Sequence, residues 1–259
     1  MQMKHAPKWA ATAAAVAMVM VLTACSHVPQ TSQVVQASQE KQQDDAPAVS
    51  TTVSEGFSAD WRHFRLPGKT ATIYGFVKKD GRDALTAKAG ISASMMRREV
   101  NIDASKLNTV HFSWQVPELI TGADLAERDL DDSPARIVLT FAGDKTKFSA
   151  KNAMLSELAL ALSGEPLPYA TLMYVWCNKR QPGSVVVNPR TDRIRSIVVE
   201  SGTKNLTQWL DYQRNIRADF EKAFGETPGN LISVGIMTDS DNTKTQVSAS
   251  YGKVFFGGQ

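Results

Sequence analysis

Alternation of apolar and polar positions is the dominant pattern of the chain. In Val110-His111-Phe112-Ser113-Trp114-Gln115-Val116 the apolar residues fall on one face and His111, Ser113 and Gln115 on the other, the period-two signature of a half-buried antiparallel strand. Short β-branched or aromatic runs recur at 136–141, 171–176, 194–199, 231–237 and 249–256, and two more, 70–77 and 84–88, flank Lys79-Asp80-Gly81, a hairpin turn. Many short strands separated by turn signals predict a mainly β protein, an antiparallel β-sandwich. Two helices interrupt it. One covers 153–162, with Leu155, Leu158, Ala159 and Leu162 at helical spacing between an Asn152 cap and Gly164. The other covers 205–224, where Leu206, Trp209, Leu210, Ile216, Phe220, Ala223 and Phe224 form a stripe, Asn205 caps, and Gly225 and Pro228 stop it.

The N-terminal pattern is different. Lys4 and Lys8 precede an unbroken apolar run from Trp9 to Leu22, too short for the roughly 20 residues of a spanning helix and fitting an export signal. Leu22-Thr23-Ala24-Cys25 resembles the lipobox of bacterial lipoproteins, which implies cleavage before Cys25 and a diacylglycerol on its thiol. Acyl chains such as palmitate, each contributing about 0.8 kcal/mol per buried methylene, then hold the protein on a membrane. Ser26 in place of Asp favours the outer membrane, facing the periplasm. The chain thus divides into a signal peptide (1–24), the lipidated Cys25 with a Gln-, Ser- and Thr-rich flexible tether (25–56), and a single domain (57–259).

Charge and cysteine content change the picture only after this division. The formal charge of +3 loses two lysines and no acid with residues 1–24, and the remaining +1 comes without a dense Lys/Arg stripe, which removes the motive for nucleic-acid binding. Of the two cysteines, lipidation consumes Cys25 and leaves Cys177 without an intramolecular partner, a buried small hydrophobe by expectation.

Catalytic signatures are mostly missing: there is no Gly-x-Ser-x-Gly elbow, His-Glu-x-x-His, Cys-x-x-Cys or phosphate-binding Gly loop. The acidic clusters are the better candidates. Glu127-Arg128-Asp129-Leu130-Asp131-Asp132 leads into a strand, and Thr238-Asp239-Ser240-Asp241-Asn242-Thr243 follows one. Asp239, Asp241 and Asn242 offer hard oxygens to calcium, although Thr243, Lys244 and Ser250 stand where an EF-hand needs other residues. The alternatives are a structural turn or a ligand-facing acid, and for Asp132 a carboxylate accepting backbone bonds. A pair drawn from Asp131, Asp132, Glu200, Asp239 and Asp241 also has the chemistry to cut a glycosidic bond. The tryptophans have flat faces suited to a sugar ring; Trp114 and Trp209 are expected in the core, while for Trp61 and Trp176 core and sugar platform both stay open.

Several ordered segments together resemble the bacterial domain-of-unknown-function family numbered 3047. They are Ser92-Ala93-Ser94-Met95-Met96-Arg97-Arg98, Phe112 to Val116, Asp131-Asp132-Ser133-Pro134-Ala135-Arg136, Tyr174-Val175-Trp176, Arg214 to Phe220, Asp239 to Thr243 and Tyr251 to Phe256. The resemblance implies a secreted or envelope β-sandwich, jelly-roll-like and similar to carbohydrate-binding modules, with no established activity. Lys253 stands where the family's ending has an acid, and Leu130 where a Gly precedes the Asp pair.

The functional expectation is a lipid-anchored envelope protein that binds a glycan or an envelope protein, more a binder than an enzyme. Its candidate set is Asp131, Asp132, Arg136, Trp176, Arg214, Asp239 and Asp241, with ion pairs of Arg136 to Asp132 and of Arg214 to Asp219 as the structural alternative. A polysaccharide hydrolase or lyase using paired carboxylates, or a purely structural lipoprotein, are the rival readings.

Overall fold

The computed structural model describes residues 53–54 and 56–257, which belong to one compact unit. Cys25, the export signal and nearly all of the 25–56 tether lie outside the described residues.

Among the described residues thirteen strands form two sheets. In chain order they are β1 (Arg62–Arg65), β2 (Ile73–Lys79), β3 (Arg82–Gly90), β4 (Ala93–Ile102), β5 (Thr109–Gln115), β6 (Ser133–Phe141), β7 (Ala170–Cys177), β8 (Val185–Val187), β9 (Ile194–Ser201), β10 (Leu210–Asn215), β11 (Leu231–Asp239), β12 (Gln246–Tyr251) and β13 (Phe255–Gly257). Helix α1 (Ala150–Ser163) lies between β6 and β7, and α2 (Ile216–Phe224) between β10 and β11. The seven-stranded sheet has the order β1-β4-β11-β6-β7-β9-β8, and the six-stranded sheet β10-β5-β12-β3-β2 with β13 also on β5. Pairing is antiparallel except between β7 and β9.

Alternation explains the core. Val110, Phe112 and Trp114 of β5 point inward and are buried, as are Leu172, Tyr174 and Trp176 of β7 in the opposite sheet. Phe112 stacks on Tyr174 at 5.5 Å between centroids and Trp114 meets Trp176 at 6.3 Å, so these aromatics are where the two sheets close on each other. The β2–β3 hairpin turns on Asp80 and Gly81, both at positive φ, the conformation a two-residue type I′ turn requires.

Five expectations from the sequence need correction. The helix predicted over 205–224 is helical only from Ile216; residues 210–215 are β10, paired along its length with β5. There Leu210, Tyr212 and Arg214 alternate with Asp211, Gln213 and Asn215, and an open edge of the sheet claims the segment that a helical period also fitted. Asn215, not Asn205, caps α2 through the Ala218 N–H. Helix α1 is capped by Ser149 rather than Asn152, and two residues of its predicted stripe, Leu158 and Leu162, face solvent. The run 249–256 is two strands, broken at Gly252-Lys253-Val254. Cys177 is buried, in line with its expected role as a small hydrophobe.

Candidate functional site

The outer faces of the two sheets carry two different arrangements of polar groups. On the seven-stranded sheet, Arg136 of β6 points away from the sandwich core and is 4% exposed, so its charge must be met locally. Its Nε donates to Asp239 Oδ1 at 2.8 Å, and its Nη2 donates to Asp239 Oδ2 at 3.1 Å, to Asp131 Oδ1 at 3.2 Å and to the Asp131 carbonyl at 3.1 Å. Asp239 is set by a register shift at the end of β11 and also accepts the Ser133 N–H. Asp131 in turn accepts from Asn188 Nδ2 at 2.8 Å.

Asp132 does separate work. Its carboxylate accepts four hydrogen bonds, from the N–H and Nδ2 of Asn242 and from the N–H and Oγ1 of Thr243, and so fastens the 240–245 turn. Arg136 therefore pairs with Asp131 and Asp239, not with Asp132 as the sequence suggested. Asp241 pairs with Lys69. Carboxylate oxygens of Asp132, Asp239 and Asp241 lie within 4.8 Å of one another, a hard-oxygen set suited in type to a divalent cation. Asn242 does not join it, because its Oδ1 accepts from Arg190 at 3.2 Å. Burial, with the neighbouring Asp132 and Asp131 charges, pushes the Asp239 carboxyl up to about 7 against the pull of Arg136.

The remaining candidates are placed elsewhere. Arg214 forms a two-pronged pair with Asp219, at 2.5 and 2.9 Å, joining β10 to α2. Trp176 and Trp61 are buried, and Trp176 donates its Nε1–H to the Gly202 carbonyl, so neither presents a free face to a sugar. Glu200 accepts from the Tyr212 hydroxyl at 2.9 Å and from Asn205.

On the six-stranded sheet a groove of about 600 Å³ opens where β12 ends and β13 takes over the pairing with β5. The register aligns its residues in rows: Gln213, His111 and Phe255 across β10, β5 and β13, then Asp211 beside Ser113. His111 and Phe255 stack, 4.6 Å apart and 3° from coplanar, and Phe255 is 46% exposed. Gly252 lets the chain approach β5 closely at this break, since a Cβ there would lie 2.2 Å from Ser113 Oγ. Arg82 forms one wall: it pairs with Asp211 at 2.8 Å and lies over the Trp209 ring at 5.3 Å, while Trp209 donates to Asp80. Trp209 is thus a half-buried groove-side residue and not part of a helical core stripe. Asp83, Lys253 and Phe57 also line it. Hydrogen bonds from Lys78 and Ser54 hold the Asp83 carboxylate down at about 2.

The acids stand out in the sequence, whereas most of the groove does not. The polar face of β5 was visible in the alternation, but Arg82, Asp211, Gln213 and Phe255 come together only through the strand order.

A groove across one face of a two-sheet assembly places the protein among the β-sandwiches. It belongs to the family described as Protein of unknown function (DUF3047), whose profile matches residues 59–255. No curated protein matches the sequence significantly. Among solved structures it is similar to the family 11 carbohydrate-binding module of a Clostridium thermocellum cellulosomal cellulase (8% identity, TM-score 0.40, covering 81% of this chain and 94% of the module). It is also similar to a thermostable cellulase derived from a Rhodothermus marinus enzyme (12%, 0.38, 76% and 95%) and to the xyloglucanase domain of a Sinorhizobium fredii type three effector, solved with cellobiose (11%, 0.34, 76% and 98%).

Proposed function

We propose that the protein is a lipid-anchored envelope protein that binds a glycan in the groove of its six-stranded sheet. The observation that carries this reading is the His111–Phe255 stack set in an open groove beside Ser113, Asp211, Gln213 and Arg82. Sugar rings present apolar C–H faces and a rim of hydroxyls, and such a surface meets both: aromatic area for the face, donors and acceptors for the rim. Binding fits the groove better than hydrolysis. Asp83 is held ionised far below neutrality, the wrong direction for a general acid, and Asp211 is engaged by Arg82. The anchor is Cys25, and the site of action is the outer membrane, facing the periplasm.

Titration of the full chain against a broad glycan array, peptidoglycan and lipopolysaccharide tests the binding. A ligand whose affinity falls in Phe255→Ala is the expected result, and an empty screen removes the reading. For the anchor, Cys25→Ala is expected to move the protein into soluble fractions; a variant still held on membranes would refute acylation there.

A further inference from the structure

The connection between β6 and β7 is longer than the sheet requires. These strands are adjacent and antiparallel, with Phe141 opposite Ala170, a geometry that a loop of about 2–5 residues closes. The chain instead inserts residues 142–169, α1 among them, and α1 is inside out. Its buried residues are Asn152 and Ser156, while Met154 (63%), Leu158 (51%) and Leu162 (61%) are exposed. At spacings of i, i+4 and i+8 these three form one stripe; Leu160, also exposed, lies on the other flank of the helix. The polar side is fixed to the domain. Asn152 donates to Asp192 at 2.7 Å and accepts from Thr191 at 2.8 Å, and Glu165, just past the helix, holds Arg97 with two bonds of 2.6 and 2.7 Å. Those bonds leave the apolar side pointing away from the sheets.

We propose that this face of α1 docks on the surface of a phospholipid bilayer, the helix lying in the plane of the interface. The inference rests on the lipid-anchored reading above. Three features select a bilayer as the occupant. The first is area: a helix about 21 Å long and about 10 Å across offers on the order of 200 Å² on one face, against ~800 Å² per partner for a stable dimer, whereas a bilayer accepts a narrow stripe. The second is charge. Lys145, Lys147 and Lys151 are all exposed at the N-terminal end of the stripe, suited to anionic headgroups, while Asp144 is occupied in capping the turn before the helix. The third is reach: residues 26–52 separate Cys25 from Val53 and span at most roughly 90 Å, so an acylated Cys25 keeps α1 close to the membrane that holds it. Among the described residues no helix is long and apolar enough to cross a membrane, so α1 lies on the bilayer and does not span it.

The test uses the acylated full chain with a photoreactive benzoylphenylalanine in place of Leu158 or, as a control, of Lys253 in the groove. Each protein is mixed with phosphatidylcholine and phosphatidylglycerol vesicles, sedimented and irradiated. Phospholipid adducts at 158 at least fivefold above those at 253 are expected. In the unsubstituted protein, vesicles are expected to slow hydrogen exchange across 150–163 severalfold. Equal adducts at the two positions, adducts joining two copies of the chain, or unchanged exchange would each overturn docking. Sedimentation without adducts at 158 removes docking and leaves the anchor, whereas failure to sediment removes both.

Discussion

The outer faces of the two sheets handle charge in opposite ways. On the seven-stranded sheet, loops cover Arg136, and the guanidinium and the Asp131 and Asp239 carboxylates that meet it are withdrawn from water. On the six-stranded sheet the Arg82–Asp211 pair is solvated, its side chains 43% and 65% exposed among the described residues. A covered charge must be fully matched by the protein, which spends its bonding capacity internally; an uncovered one keeps capacity for a ligand. The denser cluster of acids is therefore the fastener, and the sparser one is the surface with something left to offer.

The strongest way to break this contrast is to remove one partner from each side. Asp239→Ala leaves Arg136 buried and half-paired and is expected to cost about 3–5 kcal/mol of stability, whereas Asp211→Ala is expected to cost about 1 kcal/mol or less. Urea unfolding of both variants measures the difference, and equal losses would mean the two ion pairs are alike. Phe255→Ala is expected to weaken glycan binding at least tenfold, about 1.4 kcal/mol, with the melting temperature little changed. If Arg136→Lys matched that loss of affinity in a folded protein, the ligand would belong on the other sheet.

The Asp239 carboxyl, raised by burial to about 7 from the ordinary 3.8, binds a proton in the folded state over a range where the unfolded chain has lost it. Its contribution to stability is complete below about pH 4 and is lost as pH rises through about 7. Asp239→Asn is expected to flatten that part of the stability profile, and an unchanged slope would show that Asp239 stays ionised throughout. The smallest effect is expected from calcium or EDTA. Asp132 and Asp239 already accept bonds from protein donors, and Asp241 pairs with Lys69, so neither addition is expected to move the melting temperature; a clear rise with calcium would turn Asp132, Asp239 and Asp241 into a metal site.

How much of this the sequence disclosed depends on the range of the interaction. Strands such as 109–115 were legible because a half-buried strand writes its two faces into consecutive residues. β4 was not, since its core-facing Met96 and Ile102 are interleaved with Arg97, Arg98 and Glu99 and the run carries no clean period. β10 was misread because Leu206, Trp209 and Leu210 fit a helical stripe, and only the vacant edge of β5 decides between the two. The acids of the buried cluster stood out as charge, but which aspartate accepts from which arginine is fixed by strand register. The groove was least legible of all: its residues come from β3, β5, β10 and the break before β13, each unremarkable in its own segment.

The position of β11 has a consequence for how the chain must assemble. It lies in the middle of its sheet, pairing on one side with β4 through Met96 and Ile236 and on the other with β6 through Ile137. Until residues near the C-terminal end are available, β4 and β6 both present unpaired edges and the larger sheet is two fragments. Closing it requires joining segments far apart in sequence, a slow step for any β topology. A chain ending before Leu231 should accumulate as an aggregation-prone intermediate with two sticky edges, and β11 acts as the latch between β4 and β6.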